Sequence, residues 1–248
     1  MNAQRLAQKL FFLTGILFLS GCMAAQPVHT ATPTVTPVPS ASFTATPTLT
    51  PVSPTATPLG EGVVILKQLY GVYIGGTIYG HGGNAVILAG RGGYRRNEWS
   101  MFAITLAGEG YTVLTIGSAD DEMTSTNYVK YGIELLRANG FKKIVCIGDS
   151  NGASGCALNA HEPELKGLVL LTYHGHADLT DLTYPKIFIA GAVSGYQNTT
   201  TNGYNAAADP KTLVIIPDSS DTSPSLLETA GMDLHKQVVD MLKDVLGQ

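Results

Sequence analysis

Lys143-Ile-Val-Cys-Ile-Gly148-Asp149-Ser150-Asn151-Gly152 is an apolar run that passes directly into a Gly-x-Ser-x-Gly turn, and helix-compatible residues, Ala153 to Ala160, follow it. A buried strand, a sharp turn and a helix form the setting that lifts one serine hydroxyl above a sheet. Flanking glycines suit such a turn, because its backbone is strained and the strand and helix close tightly on each other. Ser150 is therefore the candidate nucleophile.

Working outward, apolar runs alternate with helical patterns. Val63 to Leu69 and Val72 to Tyr79 read as two antiparallel strands joined by a tight turn, and Ala85 to Ala89 as a short buried strand. Glu98 to Gly108 places Trp99, Phe102 and Leu106 at helical spacing, and Val113 to Ile116 is a further strand. Asn127 to Asn139 puts Val129, Ile133 and Leu136 on one helical face, closed by Gly140. After the Ser150 turn come the strands Leu168 to Tyr173, Ile187 to Val193 and Leu213 to Ile216. Leu234, Val238, Met241, Leu242 and Val245 then form the stripe of a final helix. Fully apolar strands separated by helices predict an α/β domain with a mostly parallel sheet covered on both faces.

Before this domain the composition changes twice. Met1 to Lys9 carries Arg5 and Lys9 without an acid, and Leu10 to Leu19 is apolar apart from Thr14 and Gly15, which reads as a secretory signal too short to span a bilayer. Leu19-Ser20-Gly21-Cys22 is similar to the lipobox of bacterial lipoproteins, and the resemblance implies cleavage before Cys22 and a lipid on its thiol; the alternative is an ordinary signal with an incidental cysteine. Residues 22–59 form the tether. Eight of the thirteen prolines fall there (Pro27, Pro33, Pro37, Pro39, Pro47, Pro51, Pro54, Pro58), interleaved with threonine. Such a stretch cannot assemble a core and spans about 100 Å at roughly 3.1 Å per residue if extended. The expected location is extracytoplasmic, on the membrane through the N-terminal lipid.

Residues 60–248 are enough for one domain with a single sizeable core. A net charge of −4 without basic runs argues against nucleic acid; Arg91, Arg95 and Arg96 are the one local basic group. Cys146 lies in an apolar strand and Cys156 on the next helix, so both are read as buried free thiols. No cysteine or histidine spacing suggests a metal, and no cofactor is expected. Asn198-Thr199-Thr200 matches a glycosylation sequon, weak in a bacterial lipoprotein.

Over residues 62–247 the chain resembles the α/β-hydrolase family in its antiparallel start, its Gly-x-Ser-x-Gly turn between strand and helix, and the order of the later strands. A dinucleotide-binding reading of Gly148, Gly152 and Gly155 is weaker, because that fingerprint requires glycine where Ser150 stands. The resemblance implies that Ser150 attacks an acyl carbonyl. Oxyanion donors would be the N–H of Asn151 and one from the loop Ala89-Gly90-Arg91-Gly92-Gly93. That loop lacks the family's histidine, and Arg91 beside Gly90 either favours an anionic ligand or simply reaches solvent.

The other two triad positions depart from the pattern. After the strand Ile187 to Val193 stands Ser194-Gly195-Tyr196, without a carboxylate. Before the last helix, Asp221 occupies roughly the place of the histidine. A serine without a base is a poor nucleophile, and a carboxylate is a weak substitute. His174 and His176 follow the strand expected to pair with that of Ser150, about 4.8 Å away. Either could approach Ser150, with Asp178 or Asp181 to orient it; the plainer reading is polar loop histidines at a pocket mouth. His29, His81, His161 and His235 are read as structural or solvated, and Asp120, Asp121 and Glu122 as a solvated loop. Two function classes stay open: hydrolysis of a small ester or acyl substrate through Ser150, or a degraded hydrolase-like protein that acts as a binding or scaffold module. A small acyl or anionic molecule is the expected ligand.

Overall fold

The computed structural model describes residues 59–93, 96–220, 227 and 232–247. Cys22, the tether through Pro58 and Asp221 lie outside the described residues. Among them, no helix is long and apolar enough to cross a membrane, and no cluster of His, Cys, Asp or Glu is arranged to hold a metal ion.

Eight strands form one sheet: β1 (Gly62–Leu69), β2 (Val72–Tyr79), β3 (Ala85–Gly92), β4 (Thr112–Ser118), β5 (Ile144–Asp149), β6 (Leu165–Leu171), β7 (Lys186–Gly191) and β8 (Lys211–Ile216). Their order is β1-β2-β4-β3-β5-β6-β7-β8. β2 runs antiparallel to both β1 and β4, and the pairs from β4 through β8 are parallel. This is the α/β-hydrolase fold that the sequence led us to expect.

Helices cover both faces: α1 (Ser100–Gly108), α2 (Glu122–Ala138), α3 (Asn151–Leu158), α4 (Gln197–Ala206) and α5 (Met232–Leu246). On one face Val129, Ile133 and Leu136 of α2 and Ala157 of α3 pack with Ile87 and Leu168. On the other, Phe102 and Leu106 of α1 and Val238 and Leu242 of α5 pack with Leu88, Val145 and Val169. β3 and β5 are buried on both sides along their apolar runs, which is why their sequences show no polar alternation.

Several boundaries differ from those expected. α2 starts at Glu122 because the Asp121 side chain accepts from the Thr124 amide at 2.8 Å, so Asp121 and Glu122 open a helix instead of lying in a solvated loop. β3 runs on through Arg91 to Gly92, which pairs with Ser118, so part of the expected glycine loop is strand. α4, Gln-Asn-Thr-Thr-Thr-Asn-Gly-Tyr-Asn-Ala, was not expected. Its residues are mostly poor helix formers, and Thr200 is its one buried residue, which left no apolar stripe to read.

The two cysteines correct the free-thiol reading. Cys146 and Cys156 form a disulfide with a Cα–Cα distance of 5.7 Å. A strand followed at once by a helix folds back on itself, and that brings residues ten apart within bonding reach.

Candidate active site

The tip of the strand–helix crossover is strained. Ser150 adopts φ 54° and ψ −116°, outside the regions that non-glycine residues ordinarily occupy. Its neighbours force the bend. The Ser150 amide donates to the Leu171 carbonyl at 2.9 Å, and the Ser150 carbonyl accepts from the Ser154 amide at 3.0 Å. A Cβ on Gly148 would lie 2.4 Å from the Gly152 carbonyl carbon, and one on Gly152 would lie 2.4 Å from the carbonyl oxygens of Ala89 and Gly90. Only glycine permits this approach, which seats the start of α3 directly against β3. Ser150, the first-turn amide of Asn151 and the Gly90–Arg91 backbone are thus brought to one place. First-turn amides have no intrahelical acceptor and carry the positive end of the helix dipole, so they suit a developing oxyanion.

Asn151 is a hub that the sequence did not reveal. Its Nδ2 donates to the carbonyls of Ala119 and Asp120, each at 3.1 Å, so its Oδ1 must face the other way. There it lies 3.2 Å from His174 Nε2. His174 Nδ1 lies 3.2 Å from the Thr172 carbonyl. Both ring nitrogens face acceptors, and a neutral imidazole can donate from one of them alone. Thr172, at φ 49°, turns the chain sharply after β6 and so aims His174 at the elbow. The His174 ring also meets the Tyr196 ring at a tilt of 37°, with centroids 5.2 Å apart. Tyr196 stands in the segment after β7 where the resemblance leads one to look for the acid.

Among the described residues no hydrogen bond joins Ser150 Oγ to an imidazole. His174 is the one imidazole bonded to the elbow, and it reaches it through Asn151. His176 is exposed. With His174, Tyr173, Asn202, Leu179 and Ala206 it lines a cavity of about 380 Å³ between the segment after β6 and α4. The two acids expected to orient these histidines point elsewhere. Asp181 binds His161 at 3.0 Å, and Asp178 accepts from the Thr180 hydroxyl and amide at 2.6 and 3.0 Å. Each meets a nearer polar partner in its own surroundings, so neither supports His174 or His176. His235 lies 3.2 Å from the Leu227 carbonyl and meets the edge of Phe102.

Arg91 has a partner that neither of its two readings included. Its Nε lies 3.9 Å from Asp149 Oδ2; the arginine side chain is 30% exposed and the aspartate 2%. Glu98 also feels it: partial burial pushes the Glu98 carboxyl above its ordinary range, and the charge of Arg91 opposes the shift. Arg91 therefore faces the buried residue before Ser150 from the neighbouring strand.

No family model and no curated protein matches the chain. Solved structures do. A zinc-bound, cold-adapted esterase from an Arctic intertidal metagenomic library matches with a TM-score of 0.58 and 14% identity, over 74% of this chain and 92% of its own. Est1E from Butyrivibrio proteoclasticus gives 0.57 and 11%, over 73% and 99%. Est816, an N-acyl homoserine lactone degrading enzyme, gives 0.56 and 11%, over 69% and 98%. At such identities the likeness establishes the hydrolase-like fold and nothing finer.

Proposed function

We propose that this chain is a lipid-anchored, extracytoplasmic protein of hydrolase-like fold that accepts a small ester or acyl group at Ser150. The observation that carries the reading is the backbone of Ser150: a non-glycine residue held at φ 54° by contacts from β3, β6 and α3. Strain of this kind persists only where the surroundings over-determine it, and its effect here is to present one hydroxyl beside free helix amides. In the reaction Ser150 Oγ bonds to the acyl carbon, His174 takes the hydroxyl proton and passes it to the departing alcohol, and water then cleaves the acyl-serine. For this His174 exchanges Asn151 Oδ1 for Ser150 Oγ when substrate binds, a tightening common in catalytic sites. The cavity that His174 shares with His176 receives the rest of the substrate. Two of the structural neighbours are an esterase and an N-acyl homoserine lactone degrading enzyme, which supports this substrate class.

The lipobox-like Leu19-Ser20-Gly21-Cys22 supports the anchor. The Cys146–Cys156 disulfide supports an oxidising compartment outside the cytoplasm.

One observation favours a second reading, a non-catalytic binding module. With both nitrogens of His174 set against acceptors, the ring offers no lone pair to Ser150. A fluorophosphonate probe separates the two. Labelling between about pH 6 and 9 that is lost in Ser150→Ala establishes an activated serine; no labelling across that range leaves the binding reading.

A further inference from the structure

We propose that the Cys146–Cys156 disulfide is a positioning device for Ser150, a covalent strap that holds α3 on β5 so that the elbow keeps its strained shape. The bond links the middle of β5 to α3, and the nine residues between the cysteines include the whole turn from Gly148 to Gly152. α3 needs such help. It has eight residues, Asn-Gly-Ala-Ser-Gly-Cys-Ala-Leu, two of them glycine, and its buried positions are small. Glycines weaken a helix and small side chains bury little area, so neither propensity nor packing holds this helix strongly. Yet it must lie close: Gly152 abuts the carbonyls of Ala89 and Gly90, and a Cβ on Gly155 would sit 3.0 Å from the Ser125 carbonyl oxygen. The glycines permit the approach. The disulfide enforces it.

Both cysteines are fully buried, so a reductant reaches the bond only when the elbow region opens. The strap is accordingly a permanent fixture of the folded protein, not a surface redox sensor. Reduction by a dithiol proceeds through a mixed disulfide and ends with two cysteine thiols and the cyclic oxidised dithiol, a transfer of two electrons and two protons.

The proposal takes its labelling readout from the acyl reading of Ser150, and a second readout is independent of it. The oxidised protein, unfolded without reductant, is treated with a thiol alkylator; no modification at Cys146 or Cys156 is expected, and alkylation at either overturns the proposal. The variant Cys146→Ala/Cys156→Ala is then compared with wild type for the rate of fluorophosphonate labelling and for amide hydrogen exchange of residues 148–154. Both are read at a temperature where circular dichroism shows the native fold. Labelling is expected to slow, and exchange of this segment to quicken, by about ten-fold or more, while exchange of residues 85–89 stays unchanged. Ile78→Ala, a truncation of a buried side chain in β2, serves as the destabilised control and is expected to leave both readouts near wild type. Unchanged labelling and exchange in the double variant, or equal changes in Ile78→Ala, overturn the strap. If wild-type Ser150 does not label at all, the acyl reading fails and the exchange data still decide the strap. Should the double variant not fold, wild type reduced in urea, where the bond is accessible, and refolded with dithiothreitol present provides the same exchange comparison, since its two thiols keep the volume of the disulfide.

Discussion

Ser150 and its two glycine neighbours show how little freedom the elbow has. A methyl group on Gly148 or Gly152 would meet backbone atoms at 2.4 Å, and backbone cannot move aside as a flexible side chain can. Gly152→Ala should therefore cost at least the roughly 1–3 kcal/mol typical of overpacking, seen as a lower thermal midpoint, and should also abolish probe labelling, since the collision lies between α3 and β3. Asn151→Ala removes two bonds to the Ala119 and Asp120 carbonyls and frees His174 Nε2. We expect a loss of about 1–3 kcal/mol in urea unfolding, for partners left unpaired. Labelling tells which role His174 serves: faster labelling in Asn151→Ala means that the released ring can serve Ser150, and unchanged labelling means that it cannot. The glycines were legible from the motif. The role of Asn151 was not, because an asparagine after the serine is an ordinary surface choice until Ala119, Asp120 and His174 converge on it.

At the scale of elements, α2 is fixed at both ends by charge. Asp121, exposed, caps its start, and the amide and hydroxyl of Thr124 hold its carboxyl below the ordinary range. At its other end Arg137 reaches Glu164 at 2.8 and 2.6 Å and also binds Glu162. The hydrogen bonds of Arg137 hold the largely buried Glu164 carboxyl below its usual value. A depressed folded-state pKa means that the folded protein binds a proton less readily than the unfolded chain. The stabilisation is therefore complete above the unfolded carboxylate pKa of about 4.3 and disappears as pH falls through the lower folded value. Urea midpoints of wild type and Arg137→Ala should accordingly differ most near neutral pH and converge below about pH 4; a constant gap would show that Arg137 acts through packing of its stem alone. The capping residues could be read as helix signals, but the partners of Arg137 lie beyond β5, in the segment before β6, and no local pattern joins them.

For the whole molecule, removal of the disulfide through Cys146→Ala/Cys156→Ala should cost about 2–4 kcal/mol in urea unfolding, the usual range for a short closed loop. Under the proposed anchoring, Cys22→Ser should move the protein from the membrane pellet to the soluble fraction; retention in the pellet would remove the lipid from the account. The sequence by itself determined the strand–helix alternation, the mostly parallel sheet and Ser150 as the residue on show, because these depend on short-range signals: apolar runs, helical spacing, and glycines around a turn. It also showed that no histidine stands between β8 and α5. Only the tertiary structure decided that Cys146 and Cys156 are joined, that Arg91 answers Asp149, that Asp178 and Asp181 serve other partners, and that His174 meets the elbow through Asn151. Those facts depend on where separate strands end relative to one another. A side chain chooses the nearest competent partner in space, and sequence distance does not record which partner that is.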